Sequence, residues 1–398
     1  MTTSRLPPND RPDAELSILD ITKWFGETSG GVKTYLLEKA RYVAARPRLR
    51  HVLIIPGPRD HITFGCGVRT YRLRGPLIPT QTAYRFLFAT RSTRRIVEHE
   101  RPSIIEVGSP FVVPWVTALA RRRIGTPMVS FYHTSLAGGD PCIATERRSS
   151  RGVRQRVTAS YLRLLHRLFR TTIVASDFAG QELKRLGIDN VTRVPLGVDL
   201  AHFHPDRRQQ ATDTRQRLGL PPDRPLVLYV GRLAREKRLD VLLEAWCEVE
   251  RATGAHLVIV GSGSEERALR AHSRAVRVSW LPHQGDREIV ARLHAAADMY
   301  ISPGDAETFG LSALEALSSG TPVVSAARGG VAEQVQSSGA GVLYDPDSPE
   351  ALTRAVVNVL AADRRSLGRR GRRYAEEEHG WATVFDRLFM VYREVLRT

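Results

Sequence analysis

Residues 304–324 read GDAETFGLSALEALSSGTPVV, and the architecture turns on how they are parsed. An apolar run at 299–301 ends just upstream, a loop carries Glu307, and a helical pattern starts near Phe309 and stops at Gly320. Glycine suits the position just past a helix C-terminus. A second apolar run, 321–325, follows at once, and strand, helix and strand at this spacing make one βα unit of a parallel sheet. The first amides of the helix, at Phe309, Gly310 and Leu311, have no intrahelical acceptor, so this end is positive and suits an anion. Gly310 reads as a residue that lets a ligand approach the backbone. Glu315 shares a narrow polar stripe with Ser312 and Ser319 on a helix otherwise built of Leu and Ala. By pattern alone, a solvated helix face explains it as well as a ligand contact does.

Outward from this unit, the same alternation fills the chain. Short β-rich runs occur at 16–21, 51–55, 104–107, 128–132, 172–175 and 191–194, most of them separated by helical patterns. After Pro205 the series restarts with runs at 226–230, 256–260, 276–280, 299–301 and 321–325. The expectation is an α/β protein of two Rossmann-like, doubly wound parallel-sheet domains facing a central cleft, where open sheets of this kind bind ligands at the carboxyl ends of their strands. The boundary falls in 194–205, which holds two prolines and a glycine between a strand and a new helix. That gives domains 1–204 and 205–380.

Composition narrows the class. With 398 residues, 42% hydrophobic and 25% charged, the chain is globular and long enough for two cores. Cys66, Cys142 and Cys247 are far apart, with neither disulfide-framework nor zinc-ligand spacing. The N-terminus, MTTSRLPPNDRPDAEL, lacks the apolar core of a secretory signal, and no stretch approaches about 18 consecutive apolar residues. A cytoplasmic protein, or one peripheral on the inner membrane face, is expected. The net charge of +17 implies attraction to a polyanion without saying which.

Three further segments carry candidate chemistry. In PLVLYVGRLAREKRL (225–239) a strand ends at Gly231, and Arg232 and Lys237 follow, cations that could neutralise a diphosphate; simple surface charge in an Arg-rich chain is the competing reading. Gly30 and Gly31, in FGETSGGVKTYLLEKA, lie between the first strand and an amphipathic helix, where their backbone could approach a phosphate or sugar or simply turn the chain. His133, in FYHTS, places a titratable group at a strand end near the cleft, although a lone histidine is more often structural. Gly261 and Gly263 match only half of a dinucleotide fingerprint and read as a tight turn.

Taken together, GDAETFGLSALEALSSGTPVV, GRLAREK and SGGV, in that relative placement, resemble the family 4 retaining glycosyltransferases (glycosyltransferase group 1) of GT-B architecture, over nearly the whole chain. The strongest element is the pair Glu307 and Glu315, eight positions apart. The resemblance implies that Arg232 and Lys237 hold the donor diphosphate, beside Gly231, and that Glu315 binds the ribose hydroxyls. It implies that Glu307 contacts the transferred hexose, helped by the amides of Phe309, Gly310 and Leu311. It also implies that Gly30 and Gly31 sit against the donor phosphates from the first domain, that His133 contacts the sugar, and that the last helix, 381–398, crosses back to the first domain. Asp199, in the interdomain PLGVD segment, is assigned a hinge role.

The activity so implied moves glucose, galactose or mannose from a UDP- or GDP-hexose to a hydroxyl acceptor, with retention and without a metal or other required cofactor. Many relatives carry a glycine-containing turn near the base, whereas this chain has Leu281, Pro282 and His283, so the base does not transfer. A lipid or lipid-linked glycan acceptor is favoured by the charge and by residues 151–170. There Val153, Val157, Tyr161, Leu164, Leu165 and Leu168 share one face, and Arg156, Arg163, Arg167 and Arg170 the other. Such a helix suits either an anionic membrane surface or a core with a solvated basic side. A polysaccharide or small-molecule acceptor is the alternative within the same family, and a phosphorylase or epimerase the nearest enzyme rival. A basic nucleic-acid-binding protein would explain the charge, but no such motif is present and the Arg clusters lack interleaved aromatics. An NAD-dependent oxidoreductase requires a GxGxxG after a strand, and none follows any candidate strand.

Overall fold

The computed structural model describes residues 14–26, 30–65, 67–78, 81–134, 151–273 and 277–397, with backbone only at 81–83 and 151–156. Residues 1–13, Cys66, Cys142 and Val276 lie outside the described residues, as do the side chains of Val153 and Arg156. Cys247 is an exposed free thiol.

The first half contains β1 (Leu16–Ile21), β2 (Leu49–Gly57), β3 (His61–Gly65), β4 (Val68–Arg74), the hairpin β5 (Leu77–Ile78) and β6 (Gln81–Arg85), then β7 (Ile104–Val107), β8 (Met128–Tyr132), β9 (Thr172–Val174) and β10 (Val191–Arg193). Its main sheet runs β10-β9-β8-β7-β1-β2-β4-β3, parallel except for β3 at the edge. The second half holds β11 (Leu226–Val230), β12 (His256–Val260), β13 (Val278–Leu281), β14 (Met299–Ser302), β15 (Val323–Ala326) and β16 (Gly341–Tyr344), ordered β13-β12-β11-β14-β15-β16. Both sheets build outward in two directions from their first strand. This is the doubly wound order, whose crevice opens where the direction reverses, between β1 and β7 and between β11 and β14. The buried strands are nearly continuous apolar runs, as sheets covered by helices on both faces require.

The chain passes between the halves twice. One passage is the segment after β10, where Val198 makes an isolated parallel bridge to Gly380; the other leads into the last helix, Trp381–Arg397. That helix buries Trp381, Val384, Phe385, Leu388, Phe389 and Tyr392 in the core around β1 and the helix Gly31–Ala44. An ion cluster fixes the contact: Lys39, fully buried, bonds Asp20 at 2.9 Å, Glu106 at 3.0 Å and the Tyr392 hydroxyl at 2.9 Å. Burial pushes the Glu106 carboxyl well above the usual range. Burial acts on Asp20 in the same sense, but Lys39 and His51 outweigh it and hold that carboxyl low.

Two sequence readings need correction. The helix expected over 151–170 runs Arg151–His166, and its inner side presents Leu162 and Leu165, with Phe169 just beyond, whereas Val157 and Leu164 are exposed at 63% and 51%. The assumed apolar face was rotated, because Leu162 and Phe169 lay outside the set of residues chosen for it. The second correction is the segment 61–85, which carries β3 to β6 where no strand was expected. Arg69 there, and Arg50 on the neighbouring β2, are buried because Glu100 meets both guanidinium groups and the Tyr71 hydroxyl, so charge in these strands does not mark a solvent face.

Candidate active site

The second sheet's reversal point places two loops side by side. After β11 comes Gly231, whose amide donates to the Val260 carbonyl at 3.0 Å and whose Cβ, if present, would lie 2.7 Å from the Tyr229 hydroxyl. Gly261 and Gly263 are explained by the same packing, since a Cβ on them would fall 1.9 Å from the Gly231 carbonyl oxygen and 2.1 Å from that of Leu233. A short 3-10 turn, Arg235–Lys237, then aims Lys237 at the loop after β14, where its Nζ bonds the Glu307 carboxylate. Both groups are partly exposed, so the pair borders open space. Arg232 lies near them but is exposed, and its guanidinium reaches Glu236 at 2.6 Å.

The helix expected near Phe309 begins at Leu311 and ends at Ser318, with Gly310 as its N-cap at φ +88°. Packing gives this glycine a reason the sequence did not show: a Cβ there would fall 2.1 Å from Val331 Cγ2, so a left-handed backbone against a buried valine demands glycine. Phe309 turns its ring into the core and contributes only its peptide groups to the crevice.

Glu315 is not on a solvated face. It lies one and a half turns into this helix, 14% exposed, with Oε2 3.7 Å from Nε2 of the fully buried His294. Burial raises its carboxyl to about 7, opposed in part by Arg287. Burial also pushes His294 down to about 3, so the imidazole beside it is neutral. Burial raises the Tyr300 hydroxyl, and the Glu307 and Glu315 carboxylates add to the shift; the hydroxyl donates to the Val230 carbonyl at 3.2 Å. Lys237 and Glu307 thus meet directly, Glu307 and Glu315 both act on Tyr300, and Arg232 turns to Glu236.

The first half approaches this region through its first helix. Gly30 caps the helix Gly31–Ala44 and is exposed, with nothing within 4 Å of an added Cβ; a Cβ on Gly31 would come within 3.9 Å of Leu311 Cδ2. The N-terminal ends of two helices, one from each half, therefore face each other. His133 follows β8 and stacks on Phe131 with ring centroids 4.2 Å apart. Its Nε2 is buried and has no partner among the described residues. Burial, then Lys39, drives the ring down to about 3, so His133 is neutral rather than the titrating group its type suggested. Asp199 caps the turn after β10 through the His202 amide at 3.0 Å.

Several residues joining the halves escaped the sequence reading. Ser176 donates to the Thr308 carbonyl at 2.6 Å, and the Thr308 hydroxyl donates to the His133 carbonyl at 3.0 Å. Glu333 accepts the Asp177 amide at 2.9 Å and that of Phe178, and Arg287 bonds Glu38 at 2.8 Å. The Ser-Asp pair at 176–177 is a visible helix start, but nothing in the sequence indicates a partner 132 residues away.

Comparison with known proteins places this geometry. Residues 29–202 match the profile described as Glycosyltransferase Family 4, and residues 210–376 that of Glycosyl transferases group 1. The chain is 30% identical over 367 residues to a GDP-mannose-dependent alpha-(1-6)-phosphatidylinositol dimannoside mannosyltransferase of Mycobacterium tuberculosis, covering 91% of this chain and 92% of the relative. It is 33% identical over 297 residues to a D-inositol 3-phosphate glycosyltransferase of Segniliparus rotundus, covering 70% and 63%. Sucrose-phosphate synthase from Thermosynechococcus elongatus superposes with a TM-score of 0.75 at 23% identity, over 96% of this chain and 99% of that one. Anabaena HepE in complex with UDP-glucose superposes at 0.74 and 17% identity, over 96% and 100%. The two facing Rossmann-like sheets are thus the GT-B fold, and the chain belongs to the family 4, group 1 glycosyltransferases.

Proposed function

We propose that the protein transfers a hexose, with retention of configuration, from a nucleoside diphosphate sugar to a hydroxyl of a phosphoinositide-type lipid or lipid-linked glycan. In this reading residues 205–380 bind the donor, and residues 1–204 with 381–398 bind the acceptor. Mannose from GDP-mannose is the first donor to test, because the mycobacterial relative uses GDP-mannose on a phosphatidylinositol dimannoside. The observation that supports it is the Lys237–Glu307 bond beside the reversal point of the second sheet, with the helix that starts at Gly310 and carries the buried Glu315 following directly.

Breaking the anomeric bond develops positive charge on the sugar and negative charge on the departing diphosphate. Lys237, Arg232 and the amides of Phe309, Gly310 and Leu311 would stabilise the diphosphate without reorganising, which is where fixed dipoles contribute most. Gly231, Gly30 and Gly31 leave the backbone open around it. Glu315 would accept the ribose hydroxyls, and Glu307 and the neutral His133 would orient the hexose. The leaving phosphate oxygen would take the acceptor proton on the same face, so no protein base is needed. No helix among the described residues is long and apolar enough to cross a membrane, so a lipid acceptor would be met from the surface. The exposed Val157 and Leu164 beside the exposed Arg163 and Arg167 suit that contact.

The test is a transfer assay with GDP-mannose, UDP-glucose, UDP-galactose and ADP-glucose against phosphatidylinositol, its mannosides and short soluble glycans, with the anomeric configuration of the product read by NMR. Retained α-linked product on a phosphoinositide supports the reading. Inverted product, or turnover with none of these donors, overturns it.

A further inference from the structure

Every carbonyl of the loop 307–310 is held by a hydrogen bond. Glu307 O accepts the Gly330 amide at 2.6 Å, Thr308 O the Ser176 hydroxyl at 2.6 Å, and Phe309 O the Gln334 side-chain amide at 2.6 Å. Gly310 O accepts the Ala313 and Leu314 amides at 3.1 and 3.2 Å. In a trans peptide the N–H points opposite to the C=O. Fixing these four carbonyls toward their partners therefore turns the following amides, Thr308 to Leu311, the other way. Gly329 and Gly330 back the loop closely: a Cβ on Gly330 would lie 2.7 Å from the Thr308 carbonyl oxygen, so the loop cannot retreat from a ligand.

We infer that Ser176 and Gln334 are positioning residues for the donor diphosphate: by holding the Thr308 and Phe309 carbonyls they aim the Phe309 and Gly310 amides at it. The inference rests on the donor reading above. Both side chains are 2% exposed, so water does not substitute for them. Ser176 has one hydroxyl proton to give. Its oxygen already accepts the Ala179 amide at 3.1 Å as a helix cap, and the proton goes to Thr308. The two anchors differ in origin, since Gln334 belongs to the same half as the loop and Ser176 to the other. The Phe309 amide is thus set only while the halves are together, which links their approach to the readiness of the anion site.

The experiment is calorimetric titration of GDP and GMP, and of UDP and UMP, into the wild type and into Ser176→Ala, Ser176→Thr and Gln334→Met, with steady-state transfer kinetics alongside. The amides meet the distal phosphate, so the preference for diphosphate over monophosphate falls by about tenfold in Ser176→Ala and in Gln334→Met, roughly one charge-assisted hydrogen bond. Monophosphate affinity and acceptor KM stay unchanged, kcat falls, and Ser176→Thr restores the preference. Gln334 caps no helix, so Gln334→Met carries the test if Ser176→Ala does not fold. Wild-type preference in both variants overturns the inference while leaving the donor reading in place. A wild type with no preference for a diphosphate overturns the donor reading and the inference with it.

Discussion

Lys237 bonds Glu307 across the gap between the carboxyl ends of β11 and β14, so a cation and an acid neutralise each other over the reversal point of the second sheet. On the proposed reading, a diphosphate entering there would take Lys237 from its partner, and the freed carboxylate would accept sugar hydroxyls. Lys237→Ala should therefore lower kcat by about 100- to 1,000-fold, as loss of one fixed charge-stabilising donor does elsewhere. Glu307→Gln should raise donor KM as well. Steady-state kinetics with varied donor checks both, and wild-type kcat in Lys237→Ala would remove that lysine from the reaction.

Glu315 sets a pH dependence. Burial raises its carboxyl to about 7, well above the usual carboxylate range, so at pH 6 most of the free protein carries it protonated. If the ionised form binds the ribose, binding at low pH must first expel a proton. Donor affinity should then weaken as pH falls below about 7 and level off above it. Calorimetry in buffers of different ionisation enthalpy should show proton release at pH 6, and Glu315→Gln should abolish both the release and the slope.

Gly310→Ala tests the backbone account. A left-handed φ of +88° and a contact of 2.1 Å with Val331 Cγ2 leave no room for the methyl. The loss in folding stability should be about 1–3 kcal/mol by urea unfolding, from strain and overpacking together. Pairing the change with Val331→Ala should recover the packing part only.

Lys39→Met should destabilise the first half by about 3–5 kcal/mol, since Asp20 and Glu106 then face each other buried and without their common cation. Tyr392→Phe removes only a hydroxyl that joins Lys39 and Glu106, and about 1–3 kcal/mol is expected from the unmade bonds. Hydrogen exchange should locate the loosening in the helix Trp381–Arg397.

EDTA should leave transfer intact if, as proposed, Lys237, Arg232 and the amides near Gly310 supply the positive charge the leaving group requires. Loss of activity that returns with Mg2+ or Mn2+ would contradict this.

Much of the framework was readable because parallel strands buried on both faces write themselves as plain apolar runs. Residues 16–21, 104–107, 128–132, 226–230 and 256–260 were read with the bounds that β1, β7, β8, β11 and β12 have. The strands β3 to β6 were invisible for a physical reason. VRTYRLR looks like surface, and only the buried Glu100, on another element, makes Arg69 an interior residue. β16 was missed because it is short and opens on Gly341, whose Cβ would fall 1.8 Å from the Val323 carbonyl oxygen. Glu307, Glu315 and Lys237 could be named because GDAETFGLSALEALSSGTPVV and GRLAREK resemble the motifs of a known family, whereas charge by itself left a surface reading open for Glu315 and Lys237. Ser176, Gln334 and Glu333 could not, since each acts on the backbone of a distant segment, and backbone leaves no mark in a sequence.

The return of the helix Trp381–Arg397 to the first core has a consequence for biosynthesis. On the ribosome the first half emerges early but lacks the wall formed by Trp381, Phe385 and Phe389, and it cannot close until residue 397 has been translated. The second half, contiguous between the two crossings, can finish folding before it. An intermediate with a completed later half and an unsealed earlier one is thus built into the order of synthesis, and the nascent chain would need shielding at that apolar groove until the last helix arrives.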